Sequence, residues 1–306
     1  MDEPTLIFET VHGSRAYGLA REGSDTDFKG IIVGPRRWYF GFLPAPEQIE
    51  RSADHVWIEL RKWTRLAAAN NPTMLEMLYA EPEDQRVLHP AARRLLEARD
   101  RFLSKRVAST FGRYALSQLG RIQRHRRWLL HPPAKAPTRA DYGLPERTVI
   151  PKTSSARPRR SSRRGRMSEA ELTPSFLAIL DRERRYRSAL KEWRQHQHWL
   201  STRNPARAAL EARFGYDTKH AMHLVRLTRM AVEILESRRV VVRRPDREEL
   251  LAVRDGAWSY DALLAEVERE RARIAEAEAS SSLPDAPDEE ALDALSASLI
   301  AEVLAC

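Results

Sequence analysis

Two apolar runs near the start of the chain, each next to a short polar segment, constrain the fold more than any other feature. Residues 5–11 (TLIFETV) are rich in β-branched side chains and are followed by Gly13-Ser14, which is typical of a β-strand and its exit. The segment SRAYGLA has the composition of a helical turn or two. A second strand-like run, DTDFKGIIVG, then carries Asp25 and Asp27 ahead of its apolar residues. The pattern predicts a Gly-Ser pair and a pair of aspartates on adjacent strands.

Side chains two apart on a strand point to the same face, so Asp25 and Asp27 are expected to project together. Two carboxylates on neighbouring positions of one strand face repel each other unless a cation lies between them. Oxygen ligands of this kind suit Mg²⁺ or Mn²⁺, and two metals about 3.5–4 Å apart are usual in phosphoryl transfer. Gly13 and Ser14 offer backbone N–H groups and a hydroxyl to phosphate oxygens. The pattern indicates a nucleoside triphosphate site, and the alternative is a plain hairpin whose Gly, Ser and Asp residues only form turns.

The remaining sequence predicts a small α/β unit followed by a mostly helical region, so the expected fold class is α+β. ADHVWIEL reads as a strand that passes into the helix LRKWTRLAAAN, which ends before Pro72 because proline disfavours the α conformation of the residue before it. Helical periodicity runs from about 91 to 130 and returns from 174 to 239 and from 246 to 278. Between them, residues 131–175 are rich in proline and include an arginine run at 157–166.

Charge and composition favour an anionic partner and a cytoplasmic location. The formal net charge is +9, although residues 276–306 contain acidic side chains and no Lys or Arg. Cys306 is the single cysteine, so no intrachain disulfide and no cysteine-based zinc site can form. No run approaches the roughly 18 apolar residues of a membrane span, and the acidic start MDEPTLIFET does not resemble a signal peptide.

The stretch GSRAYGLAREGSDTDFKGI resembles the signature of the polymerase-β-like nucleotidyltransferase superfamily, a Gly-Ser pair followed by D-x-D. Within it, the sequence is most similar to the predicted nucleotidyltransferases of the RNA-repair-pathway DNA polymerase beta family. The further segments that carry this resemblance are DHVWIELRKW with NNPTMLEMLY, PTRADYGLPE, and GYDTKHAMHLVRL. The resemblance extends from residue 7 to about residue 235. It implies an N-terminal mixed sheet with helices, followed by a mostly helical C-terminal region.

The resemblance also implies two-metal nucleotidyl transfer from an NTP. Asp25 and Asp27 would hold Mg²⁺ or Mn²⁺ together with a third carboxylate from a neighbouring strand. Asp54 is the preferred third ligand and Glu59 the alternative. Lys219, His220 and His223, at the capped helix start DTKHAMH, are expected to bind the triphosphate or RNA phosphates. The alternatives for this helix are a zinc pair, His220 with His223, and a surface helix without function.

These expectations define four regions and one preferred function. The regions are a nucleotidyltransferase domain at 1–130, a Pro/Arg-rich linker or insertion at 131–175, a helical region completing the cleft at 176–278, and an acidic linker with a C-terminal amphipathic helix at 279–306. The expected activity is Mg²⁺-dependent transfer of a nucleoside monophosphate to a hydroxyl, with RNA as the expected acceptor. Transfer of AMP to a protein or small molecule, or a catalytically silent RNA-binding role, are the alternatives.

Two aromatic groups and the arginine run have less specific interpretations. Trp38, Tyr39, Phe40 and Phe42 are expected to lie in the core or in the wall of the cleft, with base stacking as the alternative. EWRQHQHWL is expected to pack its tryptophans rather than bind a ligand. The run at 157–166 either contacts nucleic-acid phosphates or is a solvated linker.

Overall fold

The computed structural model describes residues 3–148 and 174–305. Within them, the sheet has five strands in the order β3-β4-β2-β1-β5. The strands are β1 Thr5–His12, β2 Asp27–Val33, β3 Gln48–Ser52, β4 His55–Glu59 and β5 Gln85–Leu88. The β2–β4 pair is parallel and the other neighbours are antiparallel. The sheet is therefore mixed, as expected.

The helices follow the predicted order. They are α1 Gly13–Ala16, α2 Arg37–Phe40, α3 Leu60–Ala68, α4 Pro72–Leu78, α5 Pro90–Glu97, α6 Arg106–Leu130, α7 Pro174–Thr202, α8 Pro205–Phe214, α9 Thr218–Ser237, α10 Arg247–Arg254, α11 Tyr260–Ser280 and α12 Glu289–Ala305. Short 3₁₀ turns lie at Pro82–Asp84, Arg99–Phe102 and Ala140–Tyr142. Among the helices described, none is long and apolar enough to cross a membrane.

Local capping explains where several helices begin. The Glu59 carboxylate accepts from the backbone N–H groups of Arg61 and Lys62 and so caps α3. The Asn71 side chain accepts from the backbone N–H of Thr73, and Pro72 occupies the first turn of α4, where its missing N–H costs nothing. These side chains satisfy N–H groups that have no partner inside the helix.

The two faces of the sheet have different surroundings. Alternation along β2 places Asp27 and Ile31 on one face and Phe28 and Gly30 on the other. Ile31 belongs to the same buried apolar cluster as Trp63 of α3. Helix α3 packs against β2 and β4, and α4 and α5 pack against β1. Helices α3, α4 and α5 therefore cover the face that carries Asp27.

The chain divides into two compact units, and the division differs from the expected one. Residues 1–123 and 213–306 form the first unit, and residues 124–212 form the second. The expected boundaries lie at 130, 175 and 278, whereas α9, α11 and α12 bury apolar side chains in the same cluster as the sheet and so belong to the first unit. Helix α12, expected in a separate tail region, packs against α3 and α5.

The second unit contains the tryptophans of EWRQHQHWL. The ring centroids of Trp128 and Trp199 are 5.4 Å apart, and His196 lies 5.8 Å from Trp199. In the same unit, Arg139 donates to the buried Glu183 at 2.8 Å. Trp199 and His196 of this segment therefore pack their rings, as predicted. The arginine run at 157–166 lies outside the described residues.

Candidate active site

The Gly-Ser turn lies directly against an aspartate carboxylate. Strand β1 ends at His12, and Gly13 begins α1 with φ +69°, a left-handed conformation that side chains rarely tolerate. A Cβ atom at Gly13 would overlap the Oδ2 atom of Asp27. The residue must therefore be glycine both for its backbone angle and for the close approach of the carboxylate.

The two aspartates are positioned by different local structures. Asp27 is the first residue of β2 and pairs with His12 across the antiparallel ladder. Asp25 lies before the strand, so strand alternation does not determine its direction, contrary to the expectation from the sequence. Its position follows from a turn in which Ser24 N–H donates to the Arg21 carbonyl at 2.9 Å. Arg15 of α1 donates to the Ser24 carbonyl at 2.8 Å, which ties this turn to the Gly-Ser helix.

Asp54 lies beside Asp27 at the same edge of the sheet. The parallel register pairs Phe28 with His55, so the residues before them, Asp27 and Asp54, are neighbours. The Phe28 N–H donates to the Asp54 carbonyl at 2.7 Å. Asp54 is exposed.

Glu59 lies at the opposite end of β4, where it pairs with Ile32. Its carboxylate is buried, caps α3, and accepts from the Tyr39 hydroxyl at 3.1 Å and from the Arg61 guanidinium at 3.3 Å. These donors give Glu59 a structural role in the α3 cap. Of the two alternatives for the third carboxylate, the geometry favours Asp54.

A buried network of charged and polar side chains lies next to α1. Glu76 of α4 accepts from Arg226 of α9 at 2.5 Å and from the Tyr17 hydroxyl at 2.7 Å. His12 Nε2 lies 3.4 Å from the Glu76 carboxylate. The Arg226 guanidinium also lies 3.8 Å from the centre of the Tyr17 ring. The network joins β1, α1, α4 and α9 at the residues that flank Gly13.

Burial governs the protonation of this network. It lowers the pKa of His12, although the nearby Glu76 opposes the shift. It also raises the pKa of Tyr17 well above its usual value. Burial alone would raise the pKa of Glu76, but Arg226 and His12 outweigh it and hold that pKa below its usual range. The Glu76–Arg226 pair is therefore ionised near neutral pH, beside a neutral His12.

Sequence reasoning did not select Glu76, Arg226 or Tyr17. Their signal was a single charged residue on an otherwise apolar helix, as in TMLEML and HLVRL. Such residues are seldom fully buried unless they are paired. Glu76 is 2% exposed and Arg226 4% exposed, so each charge requires the other.

The start of α9 belongs to the same compact unit as the Gly-Ser turn. Asp217 caps the helix by accepting from the His220 N–H at 3.0 Å, and its second oxygen lies 2.5 Å from His220 Nδ1. His220 is buried, whereas Lys219 and His223 are partly exposed. The pairing with Asp217 fixes the His220 ring, which leaves Lys219 and His223 as the more accessible candidates for a phosphate.

The aromatic group after β2 is split between two environments. The Tyr39 hydroxyl accepts from the Gly34 N–H at 3.0 Å, and the Trp38 ring fills the space that a side chain at Gly34 would occupy. Phe40 is 75% exposed and Phe42 96% exposed. A place in the core, one of the two expectations for these rings, is therefore wrong for Phe40 and Phe42.

A mixed sheet with a Gly-Ser turn against an aspartate, followed by helices, has the architecture of the polymerase-β-like fold. Residues 2–129 match the family model of the RNA repair pathway DNA polymerase beta family, and the resemblance seen in the sequence is confirmed for this part of the chain. The name of this family indicates polymerase-β-like nucleotidyltransferases of an RNA repair pathway. The start of α9 lies beyond the matched residues.

The chain is also similar to part of one further protein. The chain is 33% identical over 81 residues to the uncharacterized protein YcgL of Bacillus subtilis (strain 168). The aligned stretch covers 25% of this chain and 31% of that protein, so the chain spans about a third of the length of this relative. No solved structure gives a significant match.

Proposed function

We propose that this protein transfers a nucleoside monophosphate from an NTP to a hydroxyl group of RNA. The observation that carries the proposal is the contact of Gly13 with the Asp27 carboxylate, with Asp54 one strand away. Phosphate oxygens held by the Gly13-Ser14 backbone would lie next to the carboxylates that hold the metal. Nucleotidyl transfer requires this proximity because charge develops on the phosphate oxygens during the reaction.

The residues fit a hard divalent cation such as Mg²⁺ or Mn²⁺. Asp25, Asp27 and Asp54 would supply the carboxylate oxygens, and all three side chains are at least partly exposed. Carboxylate oxygens are the ligands that Mg²⁺ prefers, and nucleotide phosphates usually complete its coordination. When bound, the metal neutralises phosphate charge and lowers the pKa of an attacking hydroxyl.

RNA as the acceptor is supported by the uneven charge of the two units. Residues 124–212 contain 21 Lys and Arg against 8 Asp and Glu, whereas the whole chain has 52 against 43. The second unit therefore carries the entire positive excess, and the rest of the chain is slightly acidic. Arg184, Lys191 and Arg194 of α7 are all exposed and recur at spacings that keep them on neighbouring parts of the helix surface. Such a surface attracts a polyanion.

The direct experiment incubates the protein with each α-³²P-labelled NTP, Mg²⁺ and a short RNA, then resolves the RNA on a denaturing gel. We expect labelled, lengthened RNA with the wild-type protein and no product with Asp27→Asn. This substitution removes an anionic metal ligand without adding volume. Asp54→Asn should also abolish product, whereas Glu50→Gln, an exposed acid on β3, is the matched control and should retain the wild-type rate. Transfer that survives in both aspartate variants would contradict the proposal. Label recovered on the protein itself or on a small molecule would move the acceptor to those classes.

A further inference from the structure

We propose that the sheet face opposite Asp27 binds single-stranded RNA by stacking its bases, and that it guides the acceptor to the catalytic edge. The inference rests on the proposed function in naming RNA as the acceptor. The face is defined by side chains from all five strands and is called the aromatic face below. Its members are Glu9, Phe28, Arg51, His55, Trp57 and Arg86.

The strand order places these residues in one continuous band. Arg51 belongs to β3, His55 and Trp57 to β4, Phe28 to β2, Glu9 to β1 and Arg86 to β5. With strands about 4.8 Å apart, the band crosses roughly 19 Å of sheet. The Phe28 and His55 rings are 5.4 Å apart, and the His55 and Trp57 rings 5.8 Å apart. Phe28, His55 and Trp57 are each partly exposed.

A buried carboxylate fixes two of the rings. Glu9 Oε1 lies 2.6 Å from His55 Nε2 and accepts from the Trp57 indole N–H at 3.1 Å. The Glu9 side chain is only 7% exposed, and burial of a carboxylate costs free energy unless donors compensate it. Gly30 makes room for the indole, because a Cβ atom there would come within 2.6 Å of Trp57 Cδ1. These contacts hold the two rings in place before any ligand arrives.

Cations lie at both ends of the band. The Arg51 guanidinium is 4.6 Å from the centre of the Trp57 ring, and the Arg86 guanidinium is 4.4 Å from that of Phe28. The Arg86 side chain is 51% exposed. Rings that stack on bases, flanked by cations that pair with phosphates, are the arrangement that proteins use for single-stranded nucleic acid. The charge and the rings together favour RNA over a protein partner.

The position of the band relates it to catalysis. Phe28 directly follows Asp27, and His55 directly follows Asp54. A strand of RNA laid across the band therefore passes, at Phe28 and His55, within one residue of two proposed metal ligands. The acceptor end can pass around this edge to the nucleotide on the other face.

The experiment measures RNA binding without NTP or Mg²⁺, by fluorescence anisotropy of a labelled single-stranded oligonucleotide. Loss of a base-stacking ring should weaken binding about tenfold, so we expect that effect for Trp57→Leu and a smaller one for Trp57→Phe, which keeps a ring. The double variant Arg51→Ala with Arg86→Ala should also weaken binding. The double variant Arg65→Ala with Arg93→Ala, which removes one exposed arginine from each of α3 and α5, is the charge-matched control and should bind as the wild type does.

Photocrosslinking locates the contact independently of folding effects in the variants. Single-stranded RNA with 5-iodouridine, crosslinked to wild-type protein and mapped by mass spectrometry, should attach at Phe28, His55 or Trp57. Crosslinks found exclusively elsewhere, or unchanged affinity in both Trp57→Leu and the double arginine variant, would overturn the inference. Since no transfer takes place in either assay, a failure of the proposed activity would appear separately, in the labelled-NTP experiment.

Discussion

The Glu76–Arg226 pair leads to the sharpest test of how the helical region supports the Gly-Ser turn. Replacing Arg226 with Met keeps most of the side-chain volume and removes the charge. Glu76, only 2% exposed, would then be a buried carboxylate without its main partner. Breaking a buried pair from one side costs about 3–5 kcal/mol.

The remaining contacts of Glu76 indicate that the loss of unfolding free energy lies near the lower end of that range. The Tyr17 hydroxyl would still donate to Glu76 at 2.7 Å, and His12 lies 3.4 Å away. These contacts offset part of the loss, so we expect Arg226→Met to lower the free energy of unfolding by about 3 kcal/mol. The Michaelis constant for NTP should rise as well, because Tyr17 and His12 flank Gly13 and Ser14.

Urea unfolding followed by circular dichroism measures the change, and a second substitution isolates the pair. Adding Glu76→Gln to Arg226→Met removes both charges, so the double variant should recover at least half of the lost stability. Arg65→Met breaks an exposed pair with Glu47 and should leave the unfolding midpoint unchanged. Unfolding of Arg226→Met at the wild-type midpoint, or a loss in the double variant equal to the sum of the two single losses, would show that Glu76 and Arg226 do not stabilise each other.

Three further predictions test the site and its surroundings. Gly13→Ala combines an unfavourable φ with overlap of the Asp27 carboxylate. The labelled-NTP assay should therefore show at least a tenfold loss of transfer, and a wild-type rate would contradict the close contact. Lys219→Ala should lower turnover tenfold or more if the amine contacts the departing pyrophosphate, since such contacts carry about 2–4 kcal/mol. His223→Ala should lower turnover less. Equal rates for Lys219→Ala and the wild type would show that this helix start has a structural role only. The folded-state pKa of Glu76 lies below its usual 4.5, so the stability that its charge contributes is present above about pH 4.5 and is lost as pH falls through the lowered value. Urea midpoints measured against pH should show this loss of stability at low pH in the wild type and a smaller loss in Glu76→Gln.

The fold class and the first elements could be predicted from local sequence. Thr5–His12, Asp27–Val33 and His55–Glu59 are strands, as their runs of β-branched and aromatic residues predict. Strands β3 and β5 escaped prediction because Gln48–Ser52 is largely polar and exposed and Gln85–Leu88 has four residues. Both are edge strands, which are stabilised by pairing with a neighbour rather than by a buried apolar face of their own.

The candidate site was predictable in its residue types but not in its geometry. Gly-Ser and D-x-D are local patterns, so Gly13, Asp25 and Asp27 could be selected without a structure. The resemblance already preferred Asp54 to Glu59, and the β2–β4 register supports that preference because Asp54 directly precedes β4 whereas Glu59 lies at its far end. Register depends on pairing between strands that are distant in sequence, and no local pattern encodes it fully.

The sequence by itself determined the elements that depend on near neighbours: the strands on either side of the Gly-Ser pair, the end of α3 before Pro72, and the helix start at DTKHAMH. The tertiary structure alone decided which distant segments meet. It joined residues 213–306 to the sheet in one compact unit, paired Glu76 with Arg226 across 150 positions of sequence, and gathered five strands into the aromatic face. The physical reason is that a buried charge or apolar surface is stable only with its partner, and partners are selected by the packing of the whole chain rather than by adjacent residues.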